Sequence, residues 1–498
     1  MDTDIQQFFQ NKTIFVTGGT GFLGKVLIEK ILRCTKVGRI YVILRPKSGH
    51  DIVERFNDIL KSPLFEKLNT SRPKFMDHIT LMEGDCSQEK LGLSNDDYRT
   101  LIENVEVIMH CAATVQFNET LSVATQVNVQ ATVEIVQMAK EMKNLKSFVH
   151  VSTVFVNCTT IHGEEGFTKD KLSVTSEQLL NMKKSLTAEQ FDSLTKRFIG
   201  KYPNTYTFTK AVAEEFIQTH AESLSICILR PAAITSSSEE PFAGWIDNIQ
   251  GATGATYCIL MGALRVVNLT YERRAPIVPV DYCANIMLAA AWYTASSDKS
   301  RFTKGPTIYN FTTDESNLMT WGRYINLYLN YNLLMPYSKV IWYPTVTMIS
   351  NHFLYRLTVY IYQTIPAYVM DMICRLQGSK MILVKLNRRI SRLTDALRYF
   401  LTYDFTFDTM NTRHLWESMS FEDKKLFNFD MISLEWNEYF QNNTKGLRLF
   451  VAKEEPATIP AARSSLKRFR IYHLVIKSFV YMALLWMAKT IFFVFWKK

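Results

Sequence analysis

The sequence predicts an α/β protein built on a doubly wound parallel sheet, and three observations carry the prediction. Between residue 13 and about residue 235, short apolar runs of strand composition alternate with helical stretches. That alternation is the pattern of a parallel sheet covered by helices on both faces. Early in it, the run Lys12-Thr13-Ile14-Phe15-Val16 enters a glycine-rich turn, and Lys25 to Leu32 follow as a helix with a buried face. Finally, 498 residues with 47% hydrophobic and 21% charged side chains can fill large cores, which excludes a disordered chain.

The predicted strands are 13–17, 39–44, 78–83, 105–110, 147–151 and 225–230. In a sheet of this kind ligands sit at the carboxyl ends of the strands, so the residues at those ends are the candidates for function. The first strand ends in Thr17-Gly18-Gly19-Thr20-Gly21-Phe22-Leu23-Gly24. Strand, glycine turn and helix together mark a dinucleotide site of the Rossmann type. Gly18 suits the sharp turn, Gly21 the close approach of a pyrophosphate, and Gly24 the packing of helix on sheet. The amides and dipole of the helix then face the phosphates.

The second strand ends in Arg45, followed by Pro46 and Lys47, where an acidic residue would accept the ribose 2′-hydroxyl of NAD. A guanidinium there suits a 2′-phosphate and hence NADP(H), although a loop arginine is also at home in solvent. Asp85 closes the third strand, where a carboxylate accepts a bond from the adenine amine or serves the turn itself. The fourth strand ends His110-Cys111-Ala112-Ala113. The small residues leave room for the nicotinamide ribose, and His110 is read as a core histidine rather than an acid–base group.

The fifth strand delivers Ser152 and Thr153 to the same edge. Some fifty residues later comes Tyr206-Thr207-Phe208-Thr209-Lys210, with Asn204 and Thr205 as helix caps before it. At i and i+4 the phenol and the ammonium share a helical face. A neighbouring cation is expected to lower the tyrosine pKa and make it a usable proton donor.

These motifs, in this order, resemble the extended short-chain dehydrogenase/reductase family, which has the same wide Gly-x-x-Gly-x-x-Gly spacing. Further segments narrow the resemblance to fatty acyl-CoA reductases. They are His150-Val151-Ser152-Thr153-Val154-Phe155-Val156-Asn157, Lys201 to Lys210, Gly244-Trp245-Ile246-Asp247-Asn248 and Ile277-Val278-Pro279-Val280-Asp281. The C-terminal region resembles the male-sterility domain of that family. The similarity runs from about residue 11 to about residue 450.

The resemblance implies Thr153, Tyr206 and Lys210 as a catalytic trio, with Ser152 beside Thr153. It implies cofactor contacts at Gly18, Gly21, Phe22, Leu23, Gly24, Arg45, Asp85, Ala112, Ala113, Tyr206, Lys210 and Pro231. The implied activity is reduction of a long-chain acyl-CoA to a primary alcohol through an aldehyde, with NADPH as cofactor and no metal. Cys158, near Thr153, is read as packing rather than as a nucleophile. After Asn248 the family's Gly-Pro-x-Gly run is replaced by Gly251-Ala252-Thr253-Gly254, next to where the acyl chain is expected. The same fold and trio also serve hydroxysteroid and sugar-nucleotide enzymes, and a non-catalytic NADPH-binding membrane scaffold is the alternative of another class.

Eight cysteines lie singly, with no zinc or redox spacing, which fits reduced thiols in the cytosol. The acidic N-terminus carries no signal-peptide pattern. The net charge of +10 gathers partly at Arg463, Lys467, Arg468 and Arg470, directly before the apolar stretch Ile471 to Trp496. A cationic flank beside apolar sequence points to membrane lipid as a partner and not to nucleic acid. The stretch is expected to be a C-terminal membrane anchor, as a tilted transmembrane helix or lying in plane, on the endoplasmic reticulum or peroxisome membrane. Leu333 to Leu376 is also apolar and aromatic but interrupted, which suits a docked helical cap, an interfacial hairpin or plain core packing. The expected domains are 1–330 for the NADP-binding domain, 331–460 for a helical male-sterility-type domain, and 461–498 for a basic linker and anchor.

Overall fold

The computed structural model describes residues 1–47, 49–296 and 305–496. The chain divides into two compact units, each discontinuous in sequence. The first contains Met1–Asp247, Arg273–Thr320 and Tyr403–Tyr439, and the second Asn248–Glu272, Trp321–Thr402 and Phe440–Lys498.

The first unit is built on a seven-stranded sheet. Its strands are β1 (Thr13–Thr17), β2 (Arg39–Leu44), β3 (Ile79–Glu83), β4 (Val107–His110), β5 (Ser147–Val151), β6 (Ile226–Pro231) and β7 (Thr307–Phe311). They lie in the order β7-β6-β5-β4-β1-β2-β3, and every pairing is parallel. All six expected strands are present, three with the expected bounds and three with one or both ends displaced by one or two residues. The seventh was not anticipated: it is a short edge strand with a polar asparagine at position 310, which blurs its apolar pattern.

Both faces of the sheet are covered, so the central strands are buried along their whole length and read as continuous apolar runs. On one face α1 (Phe22–Cys34) packs against α4 (Val280–Ser296), and on the other α2 (Ala131–Glu141) packs against α3 (Thr205–His220). Ile135, Val136, Phe216 and Ile217 of the latter pair meet Phe148, Ile226 and Ile228 in one buried cluster. The strand order reverses between β1 and β4, which is where a sheet of this type opens a crevice.

The second unit is mainly helical. It includes Gly251–Leu260, α5 (Trp321–Leu334), α6 (His352–Val359), α7 (Ile365–Leu376), α8 (Leu383–Thr402) and α9 (Ile459–Trp496). Tyr324, Tyr328 and Phe440 form an edge-to-face cluster with centroids 4.9–5.3 Å apart.

The apolar stretch after Arg470 forms the distal part of the 38-residue α9. Among the described residues, however, no helix is long and apolar enough to cross a membrane. The expected transmembrane helix is therefore not borne out among the described residues. Lys477 and Lys489 fall inside the apolar run. Lys497 and Lys498, at the end of the expected anchor, lie outside the described residues.

Candidate active site

The glycine turn is shaped by the register of the two strands flanking the crevice. Pairing of Thr17 with His110 brings Gly18 level with the chain leaving β4. A Cβ on Gly18 would lie 2.7 Å from the Ala112 nitrogen, and its φ of +69° is left-handed. Gly24 is equally constrained, since a Cβ there would come within 2.2 Å of the Gly18 carbonyl oxygen. Gly21 is the N-cap of α1 and offers no side-chain hydrogen bond, and the first turn of the helix carries no acidic residue. The first amides of α1 are thus left for an anion, with backbone rather than side chains lining the approach. Phe22 and Leu23 start the helix. Phe22 stacks on Trp245 at 5.5 Å, and Lys25 is ion-paired to Asp247. The Gly244–Asp247 segment thereby closes against the glycine turn.

At the end of β2, Arg45 is exposed and its Nη1 donates to Asp85 Oδ2 at 3.3 Å. Asp85 Oδ1 accepts from the Ser87 amide and hydroxyl at 3.0 and 2.7 Å. Burial alone would raise the Asp85 carboxyl, but the Ser87 hydrogen bonds and the Arg45 charge leave it below its ordinary value. Asp85 therefore serves the turn and orients Arg45. Arg55 had no sequence signal. Its Nη1 donates to the Arg45 carbonyl at 2.6 Å and its Nη2 to Thr20 Oγ1 at 3.2 Å. Burial and then the Arg45 charge lower its pKa. Two guanidiniums held near each other beside the glycine turn are a place for a doubly charged anion.

Ala112 and Ala113 follow β4, half-buried, and the Ala112 amide donates to Thr17 Oγ1 at 3.3 Å. The same hydroxyl meets His110 Nδ1 at 2.7 Å. Burial and the Lys210 charge push His110 down to about 3, so it is a neutral core histidine, as expected. Asn128 is a second residue without a sequence signal. It sits in the π-helical turn Thr125–Gln130. Its amide bridges both backbone groups of Thr114 to the Thr209 hydroxyl, at 2.9–3.2 Å. It fastens the loop after β4 to α3.

Thr153 caps a short 3₁₀ turn after β5, accepting from the Phe155 amide at 3.3 Å. The Ser152 hydroxyl beside it is buried with no hydrogen-bond partner among the described residues. Across from them α3 begins at its Asn204 cap, which accepts from the Thr207 amide at 2.9 Å. This cap places Tyr206 in the first turn and Lys210 one turn on. The Tyr206 hydroxyl lies near Thr153, whose side chain acts to lower its pKa, and its ring stacks on Phe117 at 5.9 Å. Lys210 is buried and donates to the Val151 carbonyl at 2.8 Å.

The expected lowering of the tyrosine pKa is not observed. Burial pushes Tyr206 up to about 12, and only the Thr153 side chain works in the other direction. Lys210 instead bears the electrostatic cost, its pKa falling to about 8 through burial despite Glu214 and Cys111 nearby. Its ammonium is directed to the β5 carbonyl. Cys158 is buried, and burial raises its thiol to about 12, in keeping with a packing role. Pro231 ends β6, paired with Phe311 of β7. No cluster of residues suited to a metal ion occurs among the described residues.

A parallel sheet reversing beside a glycine cradle, and a tyrosine and a lysine on one helix below it, define a nicotinamide dinucleotide-binding oxidoreductase. An NAD-binding family model described as male sterility protein matches residues 16–287, and a second model of the same description matches residues 362–454. Fatty acyl-CoA reductase wat of Drosophila melanogaster is 40% identical over 485 residues, covering 97% of this chain and 93% of that protein. Fatty acyl-CoA reductase 1 of Rattus norvegicus is 37% identical, covering 94% and 90%. Among solved structures, the terminal R domain from the myxalamid PKS-NRPS pathway is similar at TM-score 0.57 and 19% identity, covering 88% of this chain and 91% of that one. The reductase domain of a nonribosomal peptide synthetase from Mycobacterium tuberculosis gives 0.56 and 18%, covering 89% and 92%. At those identities the structures speak for the fold alone. The chain belongs to the fatty acyl-CoA reductase family.

Proposed function

We propose that the protein reduces a long-chain fatty acyl-CoA to a primary alcohol and CoA, through an aldehyde and at the expense of two NADPH. The observation that carries this reading is the placing of Tyr206 near Thr153 at the end of β5, with Lys210 buried one helical turn further on and donating to the Val151 carbonyl. The turn from Gly18 to Gly24, with the first amides of α1 left without a side-chain cap, would receive a pyrophosphate. Arg45 and Arg55 would hold a 2′-phosphate, which supports NADPH over NADH. The reduced nicotinamide, when bound, supplies the hydride for each of the two reductions.

The protein's part is to manage charge and protons. Thr153 and Tyr206 donate hydrogen bonds to the substrate oxygen as negative charge develops on it, where such bonds stabilise most. At a pKa of about 12 Tyr206 remains protonated near neutrality, so it arrives as a donor. It passes that proton to the alkoxide when the aldehyde becomes an alcohol. CoA departs as a thiolate in the first half, so no protein thiol is needed. The exposed apolar side chains of α9, among them Ile471, Phe479 and Leu485, support a body held at a lipid surface from the cytosolic side.

The test is NADPH oxidation on addition of hexadecanoyl-CoA, with extraction of the lipid product, for wild type and Tyr206→Phe. Wild type is expected to release hexadecanol, with NADH a poor substitute, and the variant to lose roughly 100-fold or more in turnover. Near-wild-type turnover in Tyr206→Phe overturns the mechanism, and equal use of NADH overturns the cofactor assignment.

A further inference from the structure

The helical run from His352 to Leu376 is turned inside out. It comprises α6, a π-helical turn at Tyr360–Thr364 and α7 in unbroken succession. Its two buried polar residues, Gln363 and Asp371, point inward. Gln363, only 4% exposed, accepts from the Arg265 and Val266 amides at 2.7 and 2.8 Å. Asp371, 5% exposed, accepts from the amides of Ile382, Leu383 and Val384 at 2.9–3.1 Å. Its apolar residues point outward. Leu357, Ile361, Ile365, Tyr368, Met372 and Leu376 recur every three or four residues and are between 43% and 82% exposed. A soluble helix hides such a stripe against its own core.

The surroundings say what the stripe faces. Asp371 fixes the turn into α8, and that turn carries the exposed Met381 and Ile382. Between His352 and Thr402 there are eight lysines and arginines against two aspartates. A groove of about 800 Å³ between α7 and α8 joins Tyr368 and Met372 to Arg375, Lys385, Arg388 and Arg392. Apolar side chains rimmed by guanidiniums match a bilayer boundary, where acyl chains lie below anionic headgroups. Arg356, Asp371 and Arg375 interrupt the run too often for it to span.

We propose that this face, the 352–376 run with the basic side of α8, docks in plane on an anionic lipid bilayer. It is a contact surface separate from α9, and it stands whether or not the reductase reading does. Flotation of the full-length protein with phosphatidylcholine vesicles, with and without phosphatidylserine, tests it. Three double variants are compared with wild type: Met372→Glu/Leu376→Glu in the stripe, Arg388→Glu/Arg392→Glu in the groove, and Phe479→Glu/Leu485→Glu in α9. All six positions are exposed, and thermal unfolding checks that each variant is folded.

The stripe variant is expected to partition at least about tenfold less into phosphatidylserine vesicles. The groove variant is expected to lose the preference for phosphatidylserine, and the α9 variant to keep that preference. Unchanged partition in a folded stripe variant overturns the proposal. So does a wild-type protein that ignores vesicles but forms a dimer dissolved by the stripe variant, because the face then meets a second copy. NADPH oxidation with a water-soluble short-chain acyl-CoA is expected to be equal in wild type and stripe variant, which separates docking from catalysis.

Discussion

Lys210 carries a cost of folding that appears at one end of the pH scale. Its pKa of about 8 lies below its ordinary value of 10.5, so the unfolded chain binds more protons than the folded one between those limits. Stability is thus expected to rise as pH climbs from 8 to 10.5, and Lys210→Met is expected to remove that rise. Denaturant unfolding of both proteins across this window measures it. Activity runs the opposite way: kcat/KM falls as the ammonium is lost above about pH 8, and a flat alkaline limb would contradict a role for the charge. The Tyr-x-x-x-Lys spacing made the pair legible in the sequence, because helical geometry puts i and i+4 on one face. It did not reveal the state of the pair. That depends on burial and on the Val151 carbonyl, which belong to β5 and not to the motif. Arg55 was invisible for a similar reason: only the fold brings it to Thr20 and Arg45.

At the scale of elements, α3 is held to the sheet by a buried ion pair. Arg230 of β6 is fully buried and forks onto Glu214 of α3, one turn beyond Lys210, while its Nη1 donates to the Glu164 carbonyl at 3.1 Å. Removing one partner leaves the other charged in a dry site. Arg230→Ala is therefore expected to cost about 3–5 kcal/mol of unfolding free energy. The double change Arg230→Met/Glu214→Leu is expected to regain most of it, measured by denaturant titration. The strands themselves were legible, since burial on both faces writes them as continuous apolar runs bounded by turn residues. The edge strand β7 was not, as its place is decided by pairing with β6 and not by its own composition. Membrane contact was anticipated at α9 from apolar length, and an interfacial hairpin was one of the readings of Leu333 to Leu376. The stripe on α6 and α7 is a matter of which face points outward, which apolar content does not tell.

On the scale of the whole molecule, late residues complete the early sheet. Asn411 donates to the Ile308 carbonyl at 2.9 Å, and the Asn310 side chain donates to the Asp408 carbonyl at 3.0 Å. Phe405 and Phe407 both pack on Phe155, two residues from Thr153. Trp436 donates to the Asn317 carbonyl, and the Ile5 amide reaches Asp423. A chain cut after Thr402 is expected to lose cooperative unfolding and to be recovered insoluble, since the β7 edge and the ring of Phe155 are then uncovered. Recovery of a soluble, cooperatively folding fragment, assayed by sedimentation and thermal melting, would contradict this. Nothing local in 403–439 announces its destination: the partners named above lie 98 or more residues away along the chain.

The interleaving of the two units also sets a timetable. The six strands from β1 to β6 have been synthesised once Pro231 is made, but Tyr439 comes about two hundred residues later. At a synthesis rate of roughly 5–20 residues per second, the nascent sheet waits on the order of 10–40 seconds for its last segment. Through that interval its open edge is a target for chaperones and for strands of neighbouring nascent chains.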